Sequence, residues 1–103
     1  MVLGELDEAR SLFDECRASF EESGHTRFLT RVQSNLGLLE TMLGRVEEAE
    51  LHLLESLRRV REISDAPGQA IALNNLALLS LVRGRPEDAI RYSEESLTIR
   101  RHA

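Results

Sequence analysis

Apolar residues return at three- and four-residue intervals along nearly the whole chain, which is the spacing of one helix face. Residues 4–22 place Leu6, Ala9, Leu12, Phe13, Cys16 and Phe20 on such a face, and Ser23-Gly24 closes this first predicted helix. A second is predicted from Thr26 to Leu43, with Phe28, Leu29, Val32, Leu36, Leu39 and Leu43 on its apolar side, broadened by Leu38 and Met42. A third runs from Val46 to Ile63, with Glu47, Glu48 and Glu50 early and Arg58, Arg59 and Arg61 late, an order the helix dipole favours. The fourth, Pro67 to Val82, is apolar nearly all round, so several of its sides are expected to be covered. The fifth runs from Pro86 to Arg101. Gly44 and Gly84 stop the helices before them, and Ser64 or Asp65 is expected to cap the fourth. No segment alternates as a strand would. The chain reads as all-α, with short turns and antiparallel neighbours.

The pattern also repeats. Asn35-Leu36 returns as Asn75-Leu76; Gly4, Gly44 and Gly84 keep one register, as do Ala9, Ala49 and Ala89, and Glu15, Glu55 and Glu95. The period is forty residues. A fixed period in this range marks a solenoid built from helix pairs. In that phase residues 4–23 are the second helix of an incomplete repeat, 26–64 a full repeat and 66–102 another, all within one domain over 1–103.

Composition narrows the chemistry. With 103 residues there is room for one domain. A formal charge of −5, with no basic stripe clear of acidic neighbours, argues against direct nucleic-acid binding. The longest apolar run, Ala70 to Val82, is interrupted by Asn74 and Asn75 and is too short to span a bilayer. No N-terminal leader pattern is visible, so a soluble cytoplasmic protein is expected. Cys16 stands alone on an apolar face, where packing is its usual role. His25, His52 and His102 lack metal-ligand spacing. The pairs Glu47-Glu48 and Glu94-Glu95 read as solvated surface. The glycines follow no strand and so form no phosphate loop. The expectation is a protein that is not an enzyme and uses no cofactor or metal.

Leu36-Gly37 and Leu76-Ala77, followed by the turn glycines Gly44 and Gly84 and by Ala49 and Ala89 in the next helix, resemble the tetratricopeptide repeat. The forty-residue period exceeds that family's usual repeat of about thirty-four. Glu40 and Ser80 stand where an aromatic is usual, and the proline usual after the second helix is absent. The longer variant is similar to repeats of kinesin light chain, Pins-type spindle adaptors and bacterial Rap-type and MalT-like regulators, whose inter-repeat turn Arg61 to Ala70 resembles.

The resemblance implies a right-handed solenoid of five helices, with the second and fourth lining a concave groove that grips a peptide or helix of a partner protein. Carried over by position, the groove residues are Arg31, Ser34, Asn35, Leu38, Thr41 and Met42, with Ile71, Asn74, Asn75, Leu78, Leu81 and Val82. Asn is a poor mid-helix residue. Asn35 and Asn75 therefore serve either as amides for a bound backbone or as bonds to a neighbouring helix. Asn74, which has Ser34 as its counterpart, is expected to face a ligand. With no helix before the first, Leu6, Leu12, Phe13 and Phe20 are expected to form a self-association face, giving a homodimer through the terminal helices. The alternative function is a structural or self-associating segment of a larger bacterial regulator or signalling protein.

Overall fold

The computed structural model of the chain describes residues 2–23 and 26–102, with side chains placed except at positions 2, 16 and 18–23. Among the described residues there are five α-helices and no strand: α1 (Val2–Ser23), α2 (Thr26–Met42), α3 (Val46–Glu62), α4 (Ala66–Val82) and α5 (Pro86–His102). The sequence boundaries hold to within one or two residues. The periodicity of apolar positions and the punctuating glycines report the same physical event, the end of one hydrogen-bonded turn.

One turn geometry is used three times. Gly44 and Gly84 adopt left-handed φ values of 76° and 72°, and Ser64 does so at 54°. Each lets the next residue's N–H reach back to the preceding helix: Arg45 N to Glu40 O at 2.8 Å, Asp65 N to Val60 O at 2.9 Å, and Arg85 N to Ser80 O at 2.8 Å. This satisfies carbonyls that a helix end would otherwise leave open. The sequence signal for Gly44 and Gly84 was their type. Ser64 carries no such signal, and its left-handed backbone emerges only from the structure.

The helices form two clusters of buried side chains. Leu6, Ala9 and Phe13 of α1 meet Leu29, Val32, Leu36 and Leu39 of α2. Ala49, Leu53, Leu57 and Val60 of α3 meet Ala72, Leu73, Leu76 and Leu79 of α4, with Tyr92 and Ile99 of α5 packed against them. Each large side chain so buried contributes roughly 1.5–3 kcal/mol relative to its exposed state. Besides its neighbours in the chain, α2 also packs against α4, while α3 meets α1 and α5 through longer side chains, the Phe13 ring against His52 and Arg61 Nη2 2.7 Å from Glu95 Oε1. The helices therefore stack with α2 and α4 on one side and the other three behind them, as the forty-residue register requires.

The clusters correct one expectation. Leu6 is 0% and Phe13 is 5% exposed, so both are core residues of this chain and unavailable as a self-association face. The reason is that the apolar side of α2 covers them, with His52 of α3 also against Phe13. Leu12 remains exposed. The side chains of Cys16 and Phe20, and all of His25, lie outside the described residues.

Small residues set the helix spacing. A Cβ on Gly37 would sit 2.6 Å from Leu53 Cδ2, so α2 and α3 approach this closely only because position 37 has no side chain. Buried hydroxyls tie the pairs together in the same register twice: Ser56 Oγ donates to Thr30 O and Ser96 Oγ to Ala70 O, both at 3.2 Å.

Candidate interaction face

Helices α2 and α4 present the side chains expected to line a groove, and the structure divides them into two groups. Asn35, Met42, Ile71, Asn74, Leu78, Leu81 and Val82 are exposed, with Leu38 half-buried. The others are occupied within the chain. Ser34 is buried with its hydroxyl 2.6 Å from that of Ser56, and Thr41 is buried with its hydroxyl donating to Gly37 O at 2.8 Å. Both belong to the packing between helices, correcting their placement in the groove. Asn75 Nδ2 donates to Ser34 O at 3.3 Å. Of the two roles open to it, this residue has the second, a bond from one groove helix to the other. Asn74, one residue earlier, faces outward.

Asn35 occupies the same register as Asn75 but at the α1 end, where it borders a shallow depression with Glu5, Glu8, Leu12 and Leu39. There is no earlier groove helix for its amide to reach among the described residues. Its counterpart's bond thus shows what such an amide does when a neighbouring helix is present.

Arg31 is half-buried and its Nη1 lies 2.8 Å from Asp65 Oδ2, while Arg27 Nε is 3.8 Å from the same oxygen. Asp65 is the N-cap residue of α4, so this contact clamps the start of α2 to the start of α4. Burial alone raises the Asp65 pKa, but the Arg31 guanidinium, the Gly68 backbone N–H and the Arg27 charge outweigh it and hold the carboxyl below its ordinary range. The clamp needs Gly68, where a Cβ would come within 2.5 Å of Arg31 Nη1 and 2.7 Å of Val60 Cγ1. A similar balance acts on Glu55 of α3: burial raises its pKa, but the bonds from Arg59 and from Gln33 of α2 outweigh this and leave it below its ordinary range. The Gln33 amide reaches Glu55 Oε2 at 2.8 Å.

A second polar cluster lies on the α1 side. Glu40 is buried, its Oε1 is 2.6 Å from His52 Nδ1, and its Oε2 is 3.5 Å from Arg10 Nη2. The Phe13 ring meets His52 edge-on with centroids 5.8 Å apart. An acid in place of the usual aromatic was visible in the sequence; its partner, twelve residues later on another helix, was not. The pair has the form of a carboxylate orienting an imidazole, but among the described residues no hydroxyl bonds to His52, so no nucleophile completes it. The described residues also hold no group of three or more His, Cys, Asp or Glu placed to share a metal ion. No described helix is long and apolar enough to cross a membrane.

What remains on the face is defined by charge as much as by shape. Helix α4 contains no charged residue, and the charges of α2 are Arg27, Arg31 and the buried Glu40. Apart from the two arginines beside Asp65, the α2–α4 side is neutral and exposes aliphatic, thioether and amide groups. Most of the acids and bases stand on α1, α3 and α5.

The family model described as tetratricopeptide repeat matches twice, over residues 1–62 and 28–102. The chain belongs to the tetratricopeptide-repeat family. The chain is also similar to Regulatory protein AfsR of Streptomyces griseus, at 36% identity over 63 residues. That stretch is 61% of this chain and 6% of the relative, so the chain spans a small part of that protein's length. No solved structure matches the chain. As a tetratricopeptide repeat it is of a type that generally mediates protein–protein contact.

Proposed function

We propose that the chain is a non-catalytic, cytoplasmic interaction module that holds an apolar peptide or helix of a partner protein against α2 and α4, and that it contacts no nucleic acid directly. The observation that carries this reading is the contrast in charge: a helix with no ionised side chain exposes Ile71, Leu78, Leu81 and Val82, while charge collects behind it. Water is a poor neighbour for such a surface, and each aliphatic side chain covered by a partner contributes to binding. Asn74 supplies an outward amide that can both donate to and accept from a bound backbone. Arg31 and Asn75 contribute less to affinity, since their polar groups are already engaged. Peptides selected from a random library on the folded chain test the reading. They should bind Leu78→Asp or Ile71→Asp at least tenfold more weakly while the melting temperature changes little. Peptides indifferent to both changes would move the site off this face.

A second reading is supported by the likeness to a regulatory protein much longer than this chain. Here the module is a structural or self-associating segment of a larger bacterial regulator. A mass that rises with concentration, with no peptide selected, would favour it.

A further inference from the structure

The forty-residue register lets one repeat report on the other. Leu53, Leu57 and Val60 of α3 cluster with Ala72, Leu73, Leu76 and Leu79 of α4, and Asn75 of α4 bonds Ser34 O; these α3 residues, Ser34 and Thr41 are all buried. One period later the same positions are Ser93, Leu97 and Arg100 of α5 with Asn74 and Leu81 of α4, and all are exposed; Leu97 goes from its counterpart's 5% to 48% and Leu81 from 2% to 59%. Glu50, which pairs with Arg83 across the covered contact, is replaced by Ile90 at 60% exposure. Leu81, Pro86, Ala89, Ile90, Ser93 and Leu97, together with Glu94, line a largely apolar trough along α5.

Helix α5 also indicates the occupant. Its first turn carries Glu87 and its last turn Arg100 and Arg101, and among the described residues none of the three forms an ion pair within the chain. Between them Ile90 and Leu97 flank the small Ser93 at helical spacing. We propose that α5 pairs antiparallel with α5 of a second copy about a two-fold axis beside Ser93. In that register Ile90 packs on the partner copy's Leu97, and Leu97 on its Ile90. Glu87 meets the partner copy's Arg100 and Arg101 at both ends, and Glu94 falls opposite a serine instead of another acid. One patch is used twice, as a two-fold contact requires, and the antiparallel sense puts unlike charges together at each end. A parallel arrangement would set acid on acid and base on base. This places self-association on α5 rather than on α1, and it does not depend on the peptide-holding role of the α2–α4 face.

Sedimentation equilibrium of the 103-residue chain from micromolar to millimolar concentration tests the proposal. The wild-type mass should approach two chains. Ile90→Glu and Leu97→Glu should each weaken the dimer at least tenfold with an unchanged helical spectrum, because both residues are exposed in the single chain. Glu87→Arg alone, or Arg100→Glu with Arg101→Glu, should weaken it severalfold, and the three changes together should restore it. A mass of one chain throughout overturns the proposal, as does a dimer indifferent to Ile90→Glu or a charge reversal that is not restored. A wild-type monomer that binds a synthetic amphipathic helix on this face would overturn it too, assigning the trough to a helix of another sequence.

Discussion

The α2–α3 and α4–α5 pairs share a backbone and differ in nearly every contact made by their side chains. Both turn between their helices at a left-handed glycine, and both use a buried serine to bond the same carbonyl position of the partner helix. Yet Gly37 becomes Ala77, Leu53 becomes Ser93, Arg31 becomes Ile71 and Glu40 becomes Ser80. The changes are coupled. Position 37 must lack a Cβ because Leu53 fills the space, whereas the register sets Ala77 against the smaller Ser93. Arg31 has Asp65 to pair with, while its counterpart Ile71 lies on an uncharged helix. The repeated part of the fold resides in turn backbone and small residues; the rest is cut to fit what each pair touches.

The largest break in this comparison should come from position 53. Leu53→Ala leaves a cavity between α2, α3 and α4 and should cost about 2–5 kcal/mol. Ser93→Ala, at the same place one period on, should stay within about 0.5 kcal/mol, as exposed substitutions do. Urea unfolding of both variants checks the pair of values. Equal losses would mean that the outer face of α5 is as well packed as that of α3.

Removing the Asp65 carboxylate should have the next largest effect. Asp65→Asn leaves Arg31 half-buried beside a neutral amide and should cost about 1–3 kcal/mol at neutral pH. The folded-state pKa is depressed, so this stabilisation is complete above the ordinary value of 3.8 and is lost as pH falls through the folded value. Wild type and variant should therefore converge in stability on acidification below that range. A gap that persists at the lowest pH would point to packing, not charge, as the source of the effect.

Gly37→Ala follows, at about 1–3 kcal/mol, since the added methyl overlaps Leu53 and overpacking forces strain. The coupling between repeats makes a sharper claim. In the Leu53→Ser background, which copies the second repeat, Gly37→Ala should cost nothing or stabilise by up to about 1 kcal/mol, the ordinary helix preference for Ala over Gly. A double-mutant cycle measures the difference directly. Additive effects would show that Gly37 is small for some other reason.

These cases also mark how far the fold was legible in sequence. Helix positions, turn positions and the two-sided stacking follow from apolar spacing and the forty-residue register, because both are local or periodic signals. What covers the apolar face of α1 did not follow, since Leu6 and Phe13 look the same in sequence whether α2 or a second copy buries them. Nor did the role of Asn75, because an amide that bonds the next helix and one that waits for a ligand are the same residue at the same spacing. The Arg31–Asp65 and Glu40–His52 contacts join residues on different elements and leave no periodic trace. The neutral character of α4 was legible, but not which of its apolar residues stay exposed.

The smallest expected effect concerns the one turn that departs from the other two. Ser64 has φ 54°, where Gly44 and Gly84 have 76° and 72°. A side chain in that region costs roughly 1–2 kcal/mol because Cβ crowds the following carbonyl. Ser64 is exposed and its hydroxyl bonds no described residue, so nothing local offsets that cost. Ser64→Gly should remove it, while the more mobile unfolded chain returns part of the gain. The net expectation is a stabilisation of about 0.5–1 kcal/mol, read as a higher urea midpoint with an unchanged slope. Gly84→Ser, the reverse exchange at the turn between α4 and α5, should lose a similar amount. Should Ser64→Gly destabilise instead, the inter-repeat turn would differ in kind from the turns within repeats, and the shared backbone geometry of the three connections would be refuted at that position.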